Sequence, residues 1–182
     1  MLTLEKTDRG FRLVGVIDES ADFSSLPDEA ILLDMAQITR VNSSGILQWL
    51  RWKRGRSNQP ILEQVPASFI KALSDVPELS RGARIHSILA PYIDPDTDEP
   101  EELLLGPEQL AAIRDSRVAP QLPSPTTARA LVLDEDEENF FGFLFTGAEL
   151  VTTLPGEVPG EVSAETSHSD ADDRDDSETS AP

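Results

Sequence analysis

The stretch from Ile31 to Trp52 constrains this chain more than any other. It runs from an apolar segment through a polar one that closes on Asn42-Ser43-Ser44-Gly45, and then takes up helical spacing. Ile31-Leu32-Leu33 is too short for a globular helix and reads as a buried strand over residues 30–34, ending at Asp34. Asn42 and Ser43 both suit a helix N-cap, because their side-chain oxygens can accept from the free N–H groups of a first turn. From Ile46 onward, apolar residues at 46, 47, 49, 50 and 52 predict an amphipathic helix over about 43–55. Ser44 therefore falls in the first turn of a helix that follows a buried strand. Two readings stand side by side. The segment is a plain helix start, or Ser44 accepts a phosphoryl group, which would bring about −1.5 to −2 charges to the positive end of a helix dipole.

The flanking residues predict an α/β fold. Residues 2–7 and 11–17 alternate around the turn signal Asp8-Arg9-Gly10 and read as a hairpin. Residues 18–29 are polar, with Phe23 and Leu26 as anchors. Pro60 to Glu63 reads as a short strand, Pro66 to Leu73 as a helix, Val76 to Leu79 as a loop, and Arg84 to Leu89 as a last strand before Ala90-Pro91-Tyr92. The expected order is β-β-β-α-β-α-β. On the first helix, Trp49 and Trp52 stand among Arg51, Lys53, Arg54 and Arg56. Indole beside guanidinium is a common interface composition. The simpler reading buries Trp49 and Leu50 against the sheet and leaves the cations as a solvated face.

A strand ending in Asp, then a short loop, then Asn/Asp-Ser-Ser-Gly opening a helix, resembles the STAS domain of anti-sigma-factor antagonists. The resemblance covers residues 1–92. It implies a mixed sheet of four or five strands backed by helices, no catalytic activity, and phosphorylation at the position of Ser44. The partners it implies are a serine kinase of the anti-sigma type and a phosphatase. Asn42, Ser43, Gly45, Arg51 and Trp52 become the partner-interface candidates, with Gly45 leaving room for a partner's backbone. One position departs from the family: Asn42 stands where a carboxylate is usual.

Charge divides the chain. Residues 1–92 carry 11 Lys/Arg against 11 Asp/Glu, and residues 93–182 carry 4 against 23, so the second stretch holds the whole net charge of −19. A neutral module with an acidic extension disfavours nucleic acid as a partner. No run approaches the roughly 18 apolar residues of a membrane span and no secretory signal is recognisable, which predicts a soluble, cytoplasmic protein that is not membrane-embedded. The chain has no cysteine, so there is no disulfide framework and no thiolate metal site or nucleophile. His86 and His168 lie far apart in sequence, each without a plausible triad, and no glycine-rich phosphate loop follows a strand. No catalysis, metal or cofactor is expected.

In residues 93–154, Asp94 to Pro100 has the wrong spacing for a calcium loop. Leu103 to Leu105 and Ala130 to Leu133 read as strands and Pro107 to Arg114 as a helix. Phe140, Phe141, Phe143 and Phe145 need a core, which predicts order to about Leu150. The run Pro91-Tyr92, the acidic turn Asp134–Glu138 and the phenylalanines also resemble a bacterial zinc ribbon appended to STAS-like proteins. On that alignment the four cysteine positions would be Asp94, Thr97, Leu122 and Pro125, a ribbon without its metal. Residues 155–182 are almost devoid of apolar side chains and read as a disordered acidic tail.

Overall fold

The structure, a computed structural model, describes residues 1–29 and 31–154; the expected disordered tail lies outside the described residues. The class is mixed α/β, as expected. The hairpin forms from β1 (Leu2–Lys6) and β2 (Gly10–Ile17), which pair antiparallel around a Thr7–Gly10 turn. β2 then pairs in parallel with β3 (Leu32–Val41), after a crossover that Phe23 and Leu26 pin into the core.

β3 is longer than the sequence suggested. It does not end at Asp34 but runs ten residues to Val41, so that Asn42 alone separates it from helix α1 (Ser43–Arg54). The cause is irregular pairing. The β2–β3 register slips between Arg12 and Val14 and again between Gly15 and Val16. Each bulge puts one extra residue on β3 and breaks the two-residue alternation that marks a strand. Asp34 serves the first bulge, accepting from Arg12 Nε at 2.7 Å and from the Ala36 N–H at 3.0 Å.

The chain continues through β4 (Ile61–Glu63), α2 (Ala67–Asp75), a single turn α3 (Pro77–Ser80) where a loop was expected, and β5 (Arg84–Ile85). The strand expected over Arg84 to Leu89 is two strands. It breaks at His86-Ser87, where the Ser87 hydroxyl accepts from the Gln64 N–H (3.0 Å) and the Val65 N–H donates to the Ser87 carbonyl (3.1 Å). β6 (Ile88–Ile93) leaves for a second, antiparallel sheet with β7 (Pro100–Leu105), β8 (Leu122–Pro123) and β9 (Ala130–Leu133), in the order β7-β6-β9-β8. Helix α4 (Pro107–Ser116) links β7 to β8. The boundary read at residue 92 thus falls inside β6.

The chain then comes back. α5 (Glu137–Phe140) and a 3₁₀ turn (Gly142–Leu144) bring Phe140, Phe141 and Phe143 under α2, each nearly inaccessible, while Phe145 stays 39% exposed. Ser74 of α2 holds this segment at two points, donating to the Phe140 carbonyl (2.9 Å) and accepting from the Phe143 N–H (3.1 Å). β10 (Glu149–Leu150) adds in parallel beside β5, completing the six-stranded order β1-β2-β3-β4-β5-β10. Val151 and Leu154 close over Leu32 and Ile61. One apolar core runs from Leu2 to Leu144, so the acidic second half shares the interior of the neutral first half.

Phe143 belongs to both halves at once. Phe143→Ala is expected to lower unfolding free energy by about 3–5 kcal/mol, the range for a buried phenylalanine. Urea unfolding should show this as one shifted transition for the whole chain. A separate early transition would mean that residues 93–154 fold on their own.

Candidate functional site

The start of α1 is fixed by three contacts. The Asn42 N–H donates to the Ile17 carbonyl (3.1 Å), Asn42 Oδ1 accepts from the Gly45 N–H (2.8 Å), and the Ile46 N–H donates to the Asn42 carbonyl (3.0 Å). Asn42 is therefore the cap, and neither serine is. Ser43 and Ser44 are both exposed in the first helical turn. The carboxylate absent at position 42 has a neighbour: Glu19 Oε2 lies 3.4 Å from Asn42 Nδ2.

Gly45 is buried and faces inward. A Cβ there would lie 2.1 Å from the Ile17 carbonyl oxygen and 2.7 Å from the Asp18 nitrogen, both backbone atoms that cannot swing aside. Its role is to let the helix rest on the end of β2, not to admit a partner's backbone, as the sequence had suggested.

The indoles divide as the simpler reading had it for Trp49, which is buried and edge-on to both Phe23 and Phe69, with centroids 5.2 Å apart in each pair. Trp52 is half-buried. It packs 4.8 Å from Trp49 and 5.4 Å from Phe23, and the Arg56 guanidinium covers it at 4.5 Å. Arg56 is itself held by the Pro27 and Glu29 carbonyls at 2.6 and 2.8 Å. Lys53 turns inward as well, donating to the Leu79 and Arg81 carbonyls at 2.7 Å each, and its burial lowers the ammonium pKa. Of the four cations in and just after the helix, Lys53 and Arg56 are thus structural ties. Arg51 and Arg54 stay exposed.

At 100° per residue, Ser43, Leu47, Leu50 and Arg54 fall on one side of α1, with Ser44 and Arg51 beside them. Trp52 falls well away. Against that side α2 leaves a groove of about 470 Å³, lined by Ser43, Leu47 and Leu50 on one wall and by Ser68, Lys71 and Asp75 on the other. Leu47 is 53% exposed. Sequence reading counted Leu47 among the apolar positions of the helix and so missed it as a surface residue. The available signal was its four-residue spacing from Ser43.

Two further groups of polar residues resolve as structure. The β6–β7 and β8–β9 hairpins close with the same turn. In one, the Asp94 N–H donates to the Glu99 carbonyl (3.1 Å); in the other, the Ser124 N–H donates to the Arg129 carbonyl (2.7 Å). Asp98 and Ala128 take the left-handed conformation at φ 56° and 58°. Asp94 Oδ1 accepts from Asp96, and Ser124 Oγ from Thr126 and Thr127, at 2.9–3.1 Å. The second turn therefore repeats the first from Ser124 and Thr127, not from Leu122 and Pro125. The leading polar side chains are also spent in cross-links, Asp94 with Arg129 at 3.2 Å and Ser124 with Glu101 at 2.6 Å. Backbone hydrogen bonding first, and Arg129 second, hold the Asp94 carboxyl below its ordinary pKa. Elsewhere His86 Nδ1–H donates to the Val151 carbonyl (2.9 Å), tying down the returning strand. Burial, helped by Glu137, pushes the Tyr92 phenol up to about 12. Among the described residues, no three His, Asp or Glu side chains converge to hold a metal, and no helix is long and apolar enough to cross a membrane.

Comparison with protein-family models, with curated proteins and with solved structures finds no match to this chain.

The geometry makes Gly45 and Ser44 opposite in kind. Gly45→Ala is expected to lose about 1–3 kcal/mol or more through backbone overlap, whereas Ser44→Ala should stay within about 0.5 kcal/mol as a surface change. Thermal or urea unfolding of the two variants checks this. Equal losses would contradict the placement of α1.

Proposed function

We propose that this chain is a non-enzymatic protein-interaction module of STAS type, acting in the cytoplasm, that engages its partner through the start of α1 and the adjoining groove. The observation that carries the reading is one juxtaposition. Two exposed serines open a helix beside a groove whose rim holds a leucine left 53% exposed. What supports the reading is that Leu47 does not stand alone: with Leu50 it lines the groove and offers a partner apolar surface beside the serines.

Ser44 is the residue we assign as the phosphorylation switch. A phosphate there would meet the positive end of α1 and the N–H groups of its first turn, so the fold tolerates it. Its charge would act on a docked partner by desolvation and by repulsion of acidic groups. The partner class is a serine kinase of the anti-sigma type, with a phosphatase to reverse the mark. Glu19 beside Asn42 supports this reading, since it supplies a carboxylate next to the cap where the sequence motif itself has an amide.

The second reading is a constitutive subunit of a cytoplasmic or lipid-transport assembly, with no phosphate on Ser44. Asn42 favours it, because a neutral amide stands in the motif. Partner capture from cells with tagged full-length protein separates the two. On the switch reading, Ser44→Asp weakens partner binding at least several-fold while unfolding stability stays within about 1 kcal/mol, and Leu47→Glu weakens it whether or not Ser44 is modified. Normal binding by Ser44→Asp, with no phosphate on Ser44 in the captured protein, leaves the constitutive reading. Normal binding by Leu47→Glu removes the groove from both.

A further inference from the structure

The acidic second half has a surface of its own. Between the end of α4 and the turn that precedes α5 lies a cleft of about 510 Å³, within the size range of pockets that take a peptide side chain or small ligand. Its floor is apolar. Ile113 and Phe141 are each 1% exposed, and Phe145 lies open at 39% while the three neighbouring phenylalanines are shut in. Its rim is four consecutive carboxylates, Glu135 to Glu138, against one cation, Arg117.

We propose that this cleft docks a basic, arginine-bearing segment of a partner protein. It shares none of its lining with the α1–α2 groove, so the inference stands apart from the reading of Ser44.

Three observations carry it. First, Arg117 already seats its guanidinium 4.6 Å from the centre of the Phe145 ring. The chain's own side chain shows that the open ring accepts a guanidinium, by the attraction of a cation to an aromatic face. Arg117 is exposed at the left-handed C-cap of α4, and among the described residues no carboxylate lies within ion-pair distance of it. Among the described residues nothing else holds its guanidinium on the ring, and an incoming arginine can displace it. Second, the rim is unevenly used. Glu135 pairs with Lys71 at 2.6 Å, Asp136 caps α5 through the Asn139 N–H at 2.9 Å, and Glu137 accepts from the Ala119 N–H at 2.9 Å. These contacts hold three of the rim carboxylates in place, and Glu138, exposed on the same rim, is left for an incoming cation. Third, charge selects the occupant. An acidic peptide or a nucleic acid meets the rim as like charge, and a second copy of a chain with net charge −19 is disfavoured for the same reason. The open ring and Val118, itself 58% exposed, suit an apolar residue flanking the arginine.

The test uses the full chain and a labelled peptide of alternating arginine and leucine, with a glutamate–leucine peptide as control. Residues 155–182 carry nine carboxylates of their own, so affinity alone is not enough, and amide NMR shifts locate the peptide. The expected result is perturbation over residues 113–118 and 135–145. Glu138→Lys and Phe145→Ala should each weaken binding by roughly tenfold, a hot-spot-sized loss, with unchanged circular dichroism because both side chains are exposed. Arg117→Ala, which removes the internal competitor, should bind as tightly or tighter. Shifts confined to residues 155–182 or to the α1–α2 groove would overturn the proposal. So would equal binding by Glu138→Lys and Phe145→Ala, or a comparable loss on Arg117→Ala.

Discussion

The contact between Gly45 and the end of β2 sets the geometry on which the candidate site depends. With no side chain at 45, the first turn of α1 rests directly on the Ile17 carbonyl and the Asp18 nitrogen. Asn42 then fastens the junction from both sides, donating its N–H to Ile17 and accepting from Gly45. Turning the helix about its axis would bring a residue with a Cβ against that backbone, where there is room for none. That constraint turns Ile46 and Trp49 inward and leaves Ser43, Ser44 and Leu47 facing solvent. The exposure of the serines is thus a consequence of packing one residue away.

Trp49 carries the constraint into the core. Its ring meets Phe23 from the crossover and Phe69 from α2, both nearly edge-on, the arrangement in which a ring's positive edge faces another's negative face. α2 in turn holds the phenylalanines of the last segment through Ser74. The neutral and acidic halves are joined by this chain of contacts, and by β10, which completes the first sheet from the far end of the sequence. The concentration of charge in residues 93–182 therefore marks what the surface of that half presents, while its apolar residues serve a common interior.

Much of this was legible beforehand, for physical reasons. The β1–β2 hairpin, α1, β4 and α2 follow from periodicity and turn residues acting locally, and the burial of Phe140, Phe141 and Phe143 follows from their size, whereas Phe145, expected in the same core, stays outside it. The extent of β3 did not, because two bulges erase the alternation after Asp34. β10 did not either. A two-residue parallel strand is defined by the neighbour it finds, and its neighbour, β5, lies more than sixty residues away in sequence. The candidate site was legible as a motif but not as a surface. The sequence places Asn42 to Gly45 together, yet only the packing shows that Gly45 faces inward, that Trp52 lies beneath Arg56, and that Leu47 is the apolar residue left outside. Arg56 and Lys53 read as a solvated basic face because a cation bound to backbone carbonyls looks the same in sequence as one in water.

The central claim is that the partner meets this protein at the start of α1 and the groove beside it. Hydrogen–deuterium exchange on the complex captured from cells, compared with the free protein, tests it most directly. The account predicts that added protection concentrates in residues 42–51 and 68–76, with the interior of the six-stranded sheet unchanged. Unaltered exchange across both of those segments, with protection appearing elsewhere on the chain, would contradict it.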